Sequence, residues 1–231
     1  MRRVLAALIG FTFLLFATTD GASSQTKFAF GLRTGLNFAT MSFDPVPYAN
    51  NPQISQGGRT GFMVGAAGEM EFEKMFAVEL DIMYTMAGAK FSQTNPEATD
   101  EVHISELQFP VVFKVKFLPG NKIRPYGFAG PVLGIVTSAT DIIDVPGQGF
   151  HQETDLKSST QGIQVSSMDF ALTFGGGAEY LFTPKIGVLL DLRYSLGLSN
   201  IATLPAGMQS TTTPTWHTRG FMIQVGGMYH I

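Results

Sequence analysis

The chain has 231 residues, of which 45% are hydrophobic and only 14% charged, with a formal net charge of −3 and no cysteine. This length suits one domain, and the charged fraction lies below the roughly 25% of ordinary soluble domains. The charge gives no sign of the clustered basic surface that nucleic-acid binding needs, and the lack of cysteine excludes disulfides, thiolate metal sites and a lipid-modified cysteine.

The first 24 residues have the layout of a secretory signal peptide. Two arginines precede an apolar run over residues 4–17, and small residues then lead to a cleavage position between Ser24 and Gln25. The alternative is a retained membrane anchor, but a helical span needs ~20 apolar residues and this run is shorter. We therefore expect residues 1–24 to be removed on export and residues 25–231 to form the mature domain.

After this leader, apolar and polar residues alternate, which is the pattern of strands with two different faces. Eight long strands are predicted, at residues 27–40, 60–73, 75–91, 103–118, 122–138, 165–182, 185–200 and 217–231. Each exceeds the usual soluble strand of about five or six residues. Each is also long enough for the ~9–11 residues that cross a bilayer at a tilt.

The connections between these strands alternate in length. The long ones cover residues 41–59, 92–102, 139–164 and 201–216, and the short ones lie around Lys74 and at 119–121 and 183–184. Long external loops and tight periplasmic turns are typical of outer-membrane barrels, and an even strand number leaves no unpaired edge in hydrocarbon. The sequence therefore predicts an all-β fold, an eight-stranded antiparallel up-and-down transmembrane barrel in the bacterial outer membrane.

One face of the strands carries no charge and is expected to contact outer-membrane lipid. In the segment 187–201, for example, Leu190 and Leu192 alternate with Asp191 and Arg193. Glycine and proline obscure this alternation in the fifth strand, whose outer face is predicted to hold Tyr126, Phe128 and Val132.

The opposite faces carry charges of both signs. An eight-stranded barrel has an interior that side chains fill, and buried charges are tolerated there only when they are paired. We therefore expect a polar network in the lumen, and the alternative is a narrow pore. The residues predicted for this network are Arg33, Glu69, Glu71, Glu79, Asp81, Lys114, Lys116, Asp169, Glu179, Asp191 and Arg193.

Aromatic residues cluster next to the predicted short turns. Rings of this kind concentrate at membrane interfaces, although Phe is also a good strand former. Their position on one rim favours a periplasmic aromatic girdle. Its predicted members are Phe28, Phe72, Phe76, Phe117, Tyr126, Phe182 and Tyr229.

Seven segments in chain order resemble the PorT-like outer-membrane β-barrel family, among them "GFMVGAAGEMEF" and "LQFPVVFKVKF". They cover residues 31–41, 61–72, 78–90, 107–117, 124–135, 169–180 and 192–201. The resemblance implies an eight-stranded barrel in the outer membrane. Because the family takes its name from a protein implicated in type IX secretion, it also implies a role beside a secretion machine. The chain departs from the usual aromatic last residue, since it ends in Tyr229-His230-Ile231.

Residues that could carry catalysis are few. The four histidines show no metal-ligand spacing, and neither HExxH nor a nucleophile elbow occurs. One acid, histidine and serine neighbourhood lies in the segment 100–106, at His103 and Ser105, and an ordinary solvated loop base explains it as well. No cofactor, metal or catalytic residue is predicted.

The leading hypothesis is a non-enzymatic integral barrel with a filled lumen and four external loops for structural or interaction roles. The alternative is an accessory component of a type IX-like secretion machinery. A lipid- or peptide-modifying enzyme and a narrow channel remain further hypotheses. Expected partners are outer-membrane lipid and envelope or secretion proteins, which would bind the loops or periplasmic turns.

Overall fold

The computed structural model describes residues 26–159, 162–205 and 214–231. The expected signal peptide at 1–24 and part of the predicted loop 201–216 lie outside the described residues. Within the described ranges eight strands are long and three are short. In chain order they are β1 (Lys27–Asp44), β2 (Ile54–Phe72), β3 (Phe76–Thr94), β4 (Glu97–Lys116), β5 (Ile123–Val145), β6 (Phe150–Asp155), β7 (Gln164–Val165), β8 (Met168–Leu181), β9 (Ile186–Gly197), β10 (Ala202–Thr203) and β11 (Thr215–His230).

The eight long strands close into a ring. Sequential neighbours pair antiparallel, β4 pairs with β5, and β1 pairs with β11 from Ala29↔His230 to Asp44↔Thr215. This confirms the prediction of an eight-stranded antiparallel barrel. Strand β6 pairs with the upper half of β5 outside the ring, and β7 pairs with β10 in a small separate sheet. No helix in the described ranges is long and apolar enough to cross a membrane.

The period of two residues decides which side chains point outward. On β9, Val188, Leu190 and Leu192 are about half exposed, whereas Asp191 and Arg193 between them are buried. Successive residues of a strand point to opposite faces, so an alternating sequence becomes a barrel with an apolar exterior and a polar interior. The same alternation runs along the other ring strands.

The two ends of the barrel differ. The turns after β2, β4 and β8 are short and lie at the same end as Lys27 and His230. Glu73 and Lys74 both have positive φ, as the tightest of these turns requires. At the other end, β5 runs for 23 residues but β9 for 12. Strands β1 to β5 are therefore much longer than the ~9–11 residues that cross a bilayer. Together with β6 they form a wall that extends beyond the membrane at this end.

Two of the predicted external loops are largely strand. Strands β3 and β4 continue to Thr94 and from Glu97, so most of the predicted loop 92–102 is a hairpin. The predicted loop 139–164 contains the end of β5, a 3₁₀ turn at Pro146–Gln148 and β6. Both predictions were wrong because these strand ends stand above the apolar band. Polar residues there occupy both faces, so the alternation that marks a strand is lost.

The barrel interior is layered. Charged side chains fill the half near the short turns, and Met63, Met83 and Met222 pack together beside them, with Met222 paired to Arg193. The other end is closed by an apolar group that we call the upper apolar cluster. It consists of Met41, Phe43, Ala89, Phe91, Val102, Ile104, Val136, Ala139, Leu156, Val165, Ile201, Ala202 and Trp216.

Candidate functional site

Lys114 lies at the centre of the charged interior. Its Nζ is 2.9 Å from Oε2 of Glu69 and 2.9 Å from Oε2 of Glu79. The three residues come from β4, β2 and β3, and their side chains are almost completely buried. The Lys114 ammonium also lies 4.1 Å from the centre of the Tyr126 ring. Buried charges with this many partners are compensated where they lie, which makes their burial tolerable.

Two arginines, Arg33 and Arg193, form ion pairs with carboxylates on other strands across the lumen. Nη1 of Arg33 lies 3.0 Å from Oδ2 of Asp191, and the same side chain pairs with Glu79. Nη1 of Arg193 lies 3.1 Å from Oδ2 of Asp81. Because Arg33 stands on β1 and Arg193 on β9, these pairs link strands that are distant in sequence across the interior.

The network continues toward the short-turn end through Lys116. Its Nζ is 2.7 Å from Glu71 and also pairs with Glu69, while Arg124 lies 3.9 Å from Glu71. The predicted members that the structure joins into one network are Arg33, Glu69, Glu71, Glu79, Asp81, Lys114, Lys116, Asp191 and Arg193. With Arg124 included, five cations face five anions.

Two predicted members lie apart from this network. Glu179 pairs with His230 at 2.6 Å near the short-turn end. Asp169 sits toward the other end, where Ser199 and Thr218 donate hydrogen bonds to it. Near it lies Glu106, which is buried, accepts a hydrogen bond from Gln108 and was not predicted. Glu106 has the same inward parity on β4 as Lys114 and Lys116, and this parity is the signal that identifies it.

The outer-face assignment of Tyr126, Phe128 and Val132 was wrong, and so was the place of Tyr126 in the girdle. All three are buried. Tyr126 donates a hydrogen bond to Asp191, and the guanidinium of Arg193 lies 4.7 Å from the Phe128 ring centre. The rings therefore line the lumen, where they solvate charges of the network.

Glycines on the neighbouring strand β8 explain why these rings fit inside. A Cβ added at Gly175 would lie 2.9 Å from Cζ of Phe128, and one at Gly177 would lie 3.0 Å from the hydroxyl oxygen of Tyr126. The missing side chains leave the space that the rings occupy. The exposed Ile123 and Ile135 mark the true outer face of β5, and their parity is the signal that the sequence offered.

Replacing Tyr126 with Phe is expected to lower the free energy of unfolding by ~1–3 kcal/mol, because the buried Asp191 loses a donor. Tyr229→Phe is the matched control, since Tyr229 is exposed on the outer face and should change stability by no more than ~0.5 kcal/mol. Urea unfolding in lipid vesicles measures both. Equal, small effects would place Tyr126 outside after all.

Six of the seven predicted girdle residues point outward near the short turns. Phe28, Phe117, Phe182 and Tyr229 are exposed, and Phe72 and Phe76 are partly exposed. Phe76 stacks between Phe72 and Phe113, with ring centres 6.3 and 5.8 Å away. Tyr180, which is also exposed, adds a further ring beside Phe182.

The structure divides the predicted acid, histidine and serine neighbourhood between the two faces of β4. His103 lies on the outward side of β4, and its Nε2 is 2.9 Å from Oε2 of Glu101, which also pairs with Lys90 at 2.7 Å. The hydrogen bond with His103, and then Lys90, lower the pKa of Glu101. Glu106 points into the lumen on the other side of the strand. Among the described residues, no group of three or more His, Asp or Glu could hold a metal ion.

Comparisons with known proteins agree with this architecture. The family described as "Outer membrane protein beta-barrel domain" matches residues 22–203. The crystal structure of OprG from Pseudomonas aeruginosa is similar with a TM-score of 0.56 and 11% identity, over 91% of this chain and 98% of that chain. At this identity the likeness concerns the fold alone.

Two further solved structures were matched. Neisserial surface protein A has a TM-score of 0.41 and 14% identity, over 86% of this chain and 97% of that one. Ail of Yersinia pestis has a TM-score of 0.40 and 11% identity, over 88% of this chain and 99% of that one. Among curated proteins, none matches the sequence. The family match, which covers most of the chain, and the closed barrel with its apolar exterior show that the chain belongs to the outer membrane protein β-barrel domain family and resides in the bacterial outer membrane.

Proposed function

We propose that this protein is a non-enzymatic outer-membrane barrel whose lumen is closed by side chains and whose raised external rim recognises other molecules. The observation that supports a closed lumen is that two different groups of side chains fill it. The compensated charge network occupies one half and the upper apolar cluster the other. An ion that crossed the barrel would have to break the charge network and then pass between the apolar side chains of the upper apolar cluster, which cannot replace its hydration.

The external rim consists of strand segments that are not required to span the bilayer. Strands β1 to β5 are 18 to 23 residues long, about twice the length that spans the bilayer. Strand β6 adds a further edge to this wall. Structure that extends so far outside the lipid supports an interaction role, since surface segments on a rigid scaffold commonly carry binding.

Planar-bilayer recording tests the closed lumen. Protein that has been checked for heat-modifiable migration is expected to give no stable, discrete conductance. A reproducible conductance step from such protein would contradict the closed lumen and favour a channel.

Site-specific photo-cross-linking in intact cells tests the rim. A photoreactive residue at Tyr48 or Glu153, both at the external end, is expected to give a discrete protein or glycan adduct. The same residue at the lipid-facing Leu192 is the matched control and should give none. Adducts that are identical at all three positions, or absent from both external ones, would contradict recognition by the rim.

A secretion role is the second candidate, in line with the PorT-like resemblance. It is supported by a basic cavity of about 240 Å³ at the short-turn end, lined by Lys27, Lys74, Arg124 and Glu71. Such a surface suits an anionic periplasmic partner. Deleting the gene should then trap exported proteins in the periplasm, and wild type but not Lys27→Glu/Lys74→Glu should restore export. Normal export in the deletion strain would remove this candidate.

A further inference from the structure

We propose that a cavity at the external mouth of the barrel binds a small organic ammonium compound. The cavity lies in the rim that we propose as a recognition surface, so the inference deepens that proposal. It has a volume of about 230 Å³ and is lined from β1, β3, β4, β5, β6 and β11 and the segment before β7. This volume is below the ~300–1,000 Å³ of pockets that hold drug-sized ligands, so the ligand is small.

Aromatic rings form one wall of the cavity. Phe43 lies between Trp216 and Phe91, with ring centres 5.2 and 5.4 Å away, and the Trp216 ring meets it edge to face. Tyr48, which does not itself line the cavity, packs against this wall with its ring centre 5.6 Å from that of Phe91. Ring faces attract cations, and Trp attracts them most strongly.

Two carboxyl groups also line the cavity, and Asp100 pairs with Phe91 across β3 and β4. Asp100 on β4 and Asp141 on β5 occupy diagonal positions of the paired strands, because Val102 lies opposite Asp141. Tyr48 donates a hydrogen bond of 2.7 Å to Oδ2 of Asp100. The Oδ1 atom of each Asp is shielded from solvent and has no hydrogen-bond partner. Burying an acceptor atom without a donor costs free energy, because the hydrogen bond that it made with water is not replaced.

No Lys, Arg or His is among the described residues that line this cavity. Lys157, which follows the lining residue Leu156 in the chain, directs its Nζ to the carbonyl oxygen of Val136 instead. The two carboxyl groups thus face each other without a counter-charge. An ammonium group supplies both the charge and the N–H donors, and its apolar substituent fits against the rings.

The site should respond to pH. Burial, then a hydrogen bond with Asp100 and finally the charge of Asp100 raise the pKa of Asp141 to about 7. The groups that face Asp141 and can titrate are Asp100 and Tyr48, and burial also raises the pKa of Tyr48. Since the ionised carboxylate binds the ammonium, affinity should rise as pH increases through about 7 and level off above it.

Fluorescence of Trp216, the only tryptophan in the sequence, reports occupancy directly. Folded protein in detergent is titrated with phenethylammonium chloride, with 2-phenylethanol as the neutral isostere and NaCl at matched ionic strength. We expect a saturable change with the ammonium compound, and binding of the alcohol at least about tenfold weaker. The ammonium affinity should also fall between about pH 8 and pH 5.5.

Variants separate this site from general effects. Asp100→Asn and Asp141→Asn should each weaken ammonium binding about tenfold, while Asp144→Asn, at the end of the same strand β5 but outside the cavity, should leave it unchanged. Heat-modifiable migration confirms that each variant is folded. Equal affinity for the alcohol, an equal loss in Asp144→Asn, or no saturable change with any compound would overturn the proposal. Failure here leaves the conductance and cross-linking results unaffected, so it is distinguishable from failure of the proposed function.

Discussion

Replacing Lys114 with Met is expected to lower the free energy of unfolding in lipid vesicles by ~3–5 kcal/mol. The ammonium lies 2.9 Å from both Glu69 and Glu79, and its loss leaves two buried carboxylates with less compensation than they need. A methionine of similar length keeps the packing, so the effect reports charge. Urea titration followed by Trp216 fluorescence and heat-modifiable migration gives the value.

Two further variants define this effect. Lys122→Met, at an exposed position of a short turn, should cost no more than ~0.5 kcal/mol. Adding Glu69→Gln to Lys114→Met should cost less than the sum of the single changes, because Lys116 retains Glu71 as its partner. A loss for Lys114→Met no larger than that for Lys122→Met would mean that the network does not hold the interior together.

Replacing Leu192 with Arg is expected to cost ~2–4 kcal/mol, because the residue lies on the lipid face near the bilayer midplane. Leu192 stands midway along the outward positions of β9 and is about half exposed in the absence of lipid. The guanidinium would meet hydrocarbon, where neither water nor a carboxylate is at hand. The same unfolding measurement, together with the assembled fraction in cells, reports the loss.

Ile186→Arg is the matched control on the same strand. Ile186 pairs with the girdle residue Tyr229 at the short-turn end, where an arginine reaches the interface and costs only ~0–1 kcal/mol. Equal costs at both positions would contradict the depth that we assign to Leu192. Assembly of Leu192→Arg at the wild-type level would contradict its lipid-facing orientation altogether.

Alternation was sufficient to predict the barrel where lipid and lumen impose opposite demands on the two faces. On β9 the sequence alternates Leu190, Asp191, Leu192 and Arg193, and the structure separates these residues in the same way. Strand β5 departs from this because its outward positions include Pro125, Gly127 and Ala129, which are too small or too irregular to signal a face. The large rings of Tyr126 and Phe128 then look like the lipid side.

The external half was harder to predict for a different reason. Above the membrane no lipid requires an apolar exterior, so the external ends of β3 and β4 carry polar residues such as Glu101 outside, and residues 92–102 were predicted as a loop. The upper apolar cluster joins residues from eight segments, and their proximity depends on closure of the barrel. The proximity of Asp100 to Asp141 was not predictable for the same reason, since the register of β4 and β5 brings these two residues together.

A cysteine scan along β8 tests the central claim, that the apolar face of this barrel meets lipid and the opposite face a filled interior. The sequence contains no cysteine, so single spin labels can be attached at Leu172 and Phe174, which point outward, and at Ala171 and Thr173, which are buried. Collision rates with oxygen and with a polar nickel complex are then measured in lipid vesicles. We predict high oxygen and low nickel access at 172 and 174, with low access of both reagents at 171 and 173. Nickel access at 172 and 174 would contradict a lipid-facing exterior, and nickel access at 171 and 173 would contradict a filled lumen.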